Sequence, residues 1–159
     1  MEELFEYRRN LVEKLADISQ EIRGALADLP AHNLHTPRVK GELSPHQLFS
    51  HLRRVESAIF APRIRRILEE DQPELELFDD ESRIGESYNP AEPLEDILRD
   101  YERARDLEIA LILQMPISAW NRTARHPWFG VRTLQWWVEV CLTYSLERLA
   151  WVREESPLR

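Results

Sequence analysis

The chain has 159 residues, enough for one domain with a real core and too few for two ordinary ones. Hydrophobic residues make up 43% and charged residues 31%, a balance that excludes a disordered chain. A net charge of −8 opposes attraction to nucleic acid or to an acidic membrane face, so neither is expected as a partner.

Only four glycines occur, which suits long helices better than folds with many tight turns. The single cysteine, Cys141, cannot close a disulfide within the chain, so folding needs no oxidising compartment. Met1 leads directly into Glu2 and Glu3 with no basic or apolar leader, and the apolar runs are short and broken by charge. A cytoplasmic location is the expectation.

Four segments carry helical periodicity. Leu4, Leu11, Leu15, Ile18, Ile22, Leu26 and Leu29 recur at three- and four-residue steps, and Pro30 ends the first run. A polar stretch from Ala31 to Leu43 follows. His32 and His35 have ligand-like spacing there but lack a second pair, so a solvated loop is expected. Ser44-Pro45 reads as a cap with proline at the first helical position. The second helix runs to about Glu70 with Leu48, Leu52, Val55 and Ile59 inward, and Pro62 should bend it near Ala61.

From Asp71 to about Pro90 no clean period appears and acids crowd the sequence. The third helix is predicted from about Ala91 to Met115, with Leu94, Ile97, Leu98, Tyr101, Ala104, Leu111 and Ile112 inward. Pro116 to Arg132 reads as irregular, and Thr133 caps a fourth helix reaching about Glu155. The expectation is an all-α four-helix bundle with long second and third connections, residues 1–159 forming a single domain.

Motifs for phosphate loops, dinucleotide loops, serine-hydrolase elbows, HExxH zinc sites and Glu-x-x-His di-iron bundles are absent from the sequence. The helical wheels supply the candidates instead. On the fourth helix Trp137, Cys141, Tyr144, Arg148 and Trp151 share a side, with Arg148 near the centre of the inward stripe. On the third, Glu108 projects within about 20° of Tyr101 and Arg105 about 40° to the other side. His51 sits at the border of the second helix's apolar stripe.

Three helices thus aim polar groups at a shared interior. One reading is a buried ion pair that fixes helix register; the other is a polar pocket between helices. Arginine is always charged and can hold an anion, whereas His51 and Tyr144 are suited to moving a proton. The five tryptophans suit core and cap packing.

The run from Gly41 through Ser44, His51 and Leu52 to Glu56 resembles the G-K-W-S-x-x-E-x-x-x-H-L-x-x-x-E pattern of the DinB/YfiT-like superfamily. His126-Pro127-Trp128-Phe129-Gly130-Val131-Arg132-Thr133 is similar to its H-P-x-F-G-x-x-T run, and Ala104-Arg105 to its a-R pair. The resemblance covers about residues 4–153 and implies a single DinB-like four-helix domain. It further implies zinc or nickel held by three histidines, with metal-dependent hydrolysis or thiol S-transfer as the activities.

By that resemblance the ligand positions fall on His51, Tyr144 and Arg148, and only His51 is a histidine. One imidazole cannot hold a catalytic zinc, which takes three protein ligands. The expectation is therefore a metal-free member without a cofactor, in which Arg148, tied to Glu108 or Glu56, replaces the cation. Its pocket would comprise His51, Tyr144, Arg148, Glu108, Arg105 and Glu56. Such a protein would bind a small anionic molecule or lack catalysis. The alternatives are an altered metal-dependent enzyme using His51, Glu108 and Tyr144, or a structural homodimer.

Overall fold

The computed structural model describes residues 1–78 and 87–153. Helix α1 spans Glu2–Ala27 and buries Leu11, Leu15, Ile18, Ile22 and Leu26. Leu4, the first residue of the expected stripe, is exposed. Helix α2 spans Pro45–Val55, with the Ser44 hydroxyl accepting from the Gln47 amide at 3.2 Å as a first-turn cap should. Five residues of wider π geometry, Glu56–Phe60, join it to α3, Ala61–Glu69. Pro62 explains the widening. A proline ring clashes with the carbonyl four residues back and offers no N–H to it, and one wide turn relieves both problems. The expected bend is thus a π turn that ends two residues before the proline and contains Ala58, four residues ahead of it.

Helix α4 spans Leu94–Gln114 and α5 spans Leu134–Val152, the latter capped by Thr133 Oγ1 accepting from the Trp136 amide. The expected fourth-helix end at Glu155, and residues 79–86 of the acidic connection, lie outside the described residues. Helix α1 packs on α4 and α5, α2 packs on α4, and the bundle closes around these pairs. Two arginines tie off helix ends by donating to last-turn carbonyls: Arg122 to Ile67 and Glu70, and Arg38 to Trp151 and Val152.

The segment read as irregular between α4 and α5 has structure of its own. A short 3₁₀ turn, Ile117–Asn121, leads into β1, Thr123–His126, which pairs antiparallel with β2, Gly130–Thr133. Three residues close this hairpin, and Gly130 at φ +70° takes the left-handed position such a loop needs. The His126 ring holds the turn, its Nδ1 accepting from the amides of Trp128 at 3.1 Å and Phe129 at 3.3 Å. A small sheet therefore accompanies the four-helix architecture.

The apolar core divides into two clusters. One gathers Leu11, Leu15, Val55, Phe60, Ile64, Trp137 and Cys141; the other gathers Ile18, Ile22, Phe49, Leu52, Ile97, Tyr101 and Leu149. Among the described residues, no helix is long and apolar enough to cross a membrane.

Candidate functional site

Charged residues recur along α4, yet only Arg105 and Glu108 turn fully inward, because they share the face of Ile97, Leu98, Tyr101 and Ile112. The π turn brings Glu56 to meet them, and α5 contributes Cys141 and Ser145, one turn apart and small enough to leave room. Glu56, Arg105, Glu108, Cys141 and Ser145 all have essentially no solvent exposure. They lie between the two halves of the core.

Arg105 is the hub. Its Nε donates to Glu56 Oε1 at 3.0 Å and its Nη2 to Glu56 Oε2 at 3.1 Å, a two-point clasp. Nη1 donates to the Leu15 carbonyl at 3.1 Å, and Nη2 also reaches Ser145 Oγ at 3.2 Å. Tyr101 and Ser145 hydroxyls pair at 2.8 Å. The Cys141 thiol donates toward Glu56 Oε2 at 3.4 Å and Glu108 Oε1 at 3.5 Å. Glu108 Oε2 stands 3.8 Å from Arg105 Nε.

One guanidinium balances one carboxylate, so a second ionised glutamate here would be an uncompensated charge away from water. The environment resolves this with a proton. Burial first, and then the charge of Glu56, push Glu108 well above the usual carboxylate range. Burial also opposes the charge of Glu56, but the Arg105 guanidinium and hydrogen bonds from its neighbours outweigh it and hold Glu56 below that range. Written as a carboxylate, Glu108 leaves Oε2 without a donor. Written as an acid, it donates to Glu56 and the difficulty disappears. Burial likewise pushes the Cys141 thiol up, so it stays protonated. The cluster is electrically neutral with one proton between the two carboxyls.

The sequence-derived residues separate into groups. Glu56, Arg105 and Glu108 are in direct contact, but the cation that meets both carboxyls is Arg105, where Arg148 had been expected. The fourth helix is rotated from the expectation: the buried line of α5 runs through Val138, Cys141, Ser145 and Leu149, and Arg148 lies about 60° from its centre. Arg148 is half-buried, its guanidinium 3.4 Å from the centre of the Tyr144 ring and its Nη1 3.2 Å from Glu147. Tyr144 packs edge-on against Phe60, and His51 is buried on α2, one turn ahead of the π turn. His32 and His35 are exposed, and the His35 ring packs at a tilt against His46, 4.4 Å between centres.

Two members of the cluster, Cys141 and Ser145, were not among the expected pocket residues. Cys141 lay on the recognised stripe but passes for a small apolar residue. Ser145 carries no signal until a partner is known, since one hydroxyl in an apolar helix is unremarked by any periodicity.

With this geometry in place, comparison with known proteins identifies the family: a family model described as DinB superfamily matches residues 14–151. The chain belongs to the DinB superfamily. Among solved structures this DinB protein is similar to YfiT from Bacillus subtilis, with a TM-score of 0.83 at 17% identity, covering 94% of this chain and 86% of that one. YfiT is described as a probable metal-dependent hydrolase with an unusual four-helix bundle topology. At that identity the likeness carries the fold alone. No curated protein matches the chain.

The metal that the family implies can be tested against the residues present. His51 offers one imidazole, Tyr144 a phenol whose ring is covered by a guanidinium, and Arg148 a fixed positive charge with no lone pair. That donor set does not fit a divalent cation. Glu56, Glu108 and Cys141 have ligand atoms within 4.8 Å of one another, the one such group among the described residues. There Glu56 is clasped by Arg105, while Glu108 and Cys141 hold their protons. A metal would have to displace both protons beside an existing cation.

Proposed function

We propose that this chain is a metal-free member of the DinB superfamily that binds a small molecule without hydrolysing or transferring it. The observation that carries this reading is the pair at the family's ligand positions on α5. Arg148 lies over the Tyr144 ring, putting a permanent positive charge where the resemblance requires metal-binding imidazoles. The buried cation, Arg105, is clasped by Glu56, and because a guanidinium stays charged neither arginine serves as a proton-transfer group. A second reading, an altered metal-dependent enzyme, draws support from the closeness of Glu56, Glu108 and Cys141. Their protonation and the adjacent guanidinium place it behind the first.

Restoring the family pattern tests the choice. The double variant Tyr144→His and Arg148→His is expected to bind zinc with His51 in a calorimetric titration, while the native chain takes up none. Zinc binding by the native chain that is lost on His51→Ala would overturn the proposal.

A further inference from the structure

A cleft of about 260 Å³ opens between α3 with its preceding π turn and α4, away from His51, Tyr144 and Arg148. Ala61, Pro62, Ala104, Leu107 and Leu111 make its apolar walls. Arg65 from α3 and Arg103 from α4 line it too, both exposed. Neither makes a hydrogen bond or ion pair among the described residues. That is unusual in this chain, where Arg23, Arg53, Arg66, Arg105 and Arg122 are each engaged by carboxylates or carbonyls.

Two acids line the cleft beside these arginines, Asp100 and Glu108. Asp100 is half-exposed and 3.5 Å from Arg53, whose main partner is Glu92 at 2.6 Å, so it counts as one negative charge at the cleft's edge. Glu108, which also lines the cleft, belongs to the neutral buried cluster described above. Among the lining residues two guanidinia therefore face one ionised acid, a net positive charge in a protein whose overall charge is −8. Two guanidinia with no partner among the described residues, beside an apolar wall, complement an acid head joined to a short apolar body. The volume limits that body to a small one.

We propose that this cleft binds a small amphipathic carboxylic acid in its anionic form, its carboxylate held by Arg65 and Arg103 and its apolar part lying against Pro62, Ala104, Leu107 and Leu111. The inference rests on the reading of this chain as a binding protein and supplies a site and a ligand class for it.

Octanoate serves as the probe, titrated by calorimetry into the full chain, with octylamine and inorganic phosphate in parallel. Octanoate should bind saturably, and more weakly as salt rises. Octylamine should not bind, and phosphate should bind far more weakly for want of an apolar body. Arg65→Gln and Arg103→Gln, both surface changes, should each weaken octanoate by about tenfold. Equal binding of acid and amine would overturn the proposal, and so would binding unaffected by those variants. Octanoate binding that disappears on Arg148→Ala alone would place the ligand at the family's metal positions. That result overturns the cleft while leaving the metal-free reading intact, whereas zinc uptake by the native chain would defeat that reading independently.

Discussion

Replacing Arg105 with methionine would leave Glu56 buried without its cation, and the expected cost is about 3–5 kcal/mol in denaturant unfolding. Arg148→Ala should cost about 1 kcal/mol, because that guanidinium is half-buried and its ring contact with Tyr144 and ion pair with Glu147 lie near the surface. Comparable losses for the two would mean that the wrong arginine has been placed at the hub. Glu108→Gln separates proton from charge. Glu108 binds its proton more tightly folded than unfolded, so in the native protein its contribution falls as pH rises past the ordinary value of 4.5 toward its elevated one. Glutamine keeps a neutral donor for Glu56 and removes that decline, so the variant should match or exceed native stability at neutral pH, with a flatter profile. A steeper profile would show that Glu108 is ionised in the native state. At this scale the wheel of the third helix made Arg105 and Glu108 legible, since charges on an apolar stripe announce themselves. Their true partner Glu56 entered the expected pocket through the family pattern, and the π turn that aims it left no periodic trace.

The elements show where local sequence was and was not enough. Ser44-Pro45 and Thr133 marked two helix starts because a capping hydroxyl acts within three residues. The hairpin between α4 and α5 was missed because its strands, Thr123–His126 and Gly130–Thr133, are too short for an alternating pattern to emerge. Its turn depends on one ring nitrogen with a free lone pair. Burial, then nearby Arg63, hold His126 below the usual imidazole value of 6.5, so the folded state keeps it neutral while the unfolded chain takes up a proton. Stability should therefore fall as pH drops through 6.5 toward the lowered folded value. The His126→Asn variant should lose this segment of the pH dependence while keeping a side-chain acceptor for the turn. An unchanged profile between pH 7 and 5 would remove His126 from that role.

For the whole molecule, four helices with two long connections were readable from periodicity and proline placement, because tertiary burial requires one apolar stripe per helix. What periodicity could not supply was rotation: a helix turned by about 60° carries the same pattern of leucines while exchanging Ser145 for Arg148 at the centre. The resulting interior differs from the expected one in its cation, yet shares the consequence that positive charge is supplied by the chain itself. Elemental analysis of protein purified without chelator or histidine tag tests that consequence most directly. The account predicts zinc and nickel far below one equivalent per chain, and one equivalent of either metal, retained through dialysis and released on His51→Ala, would contradict it.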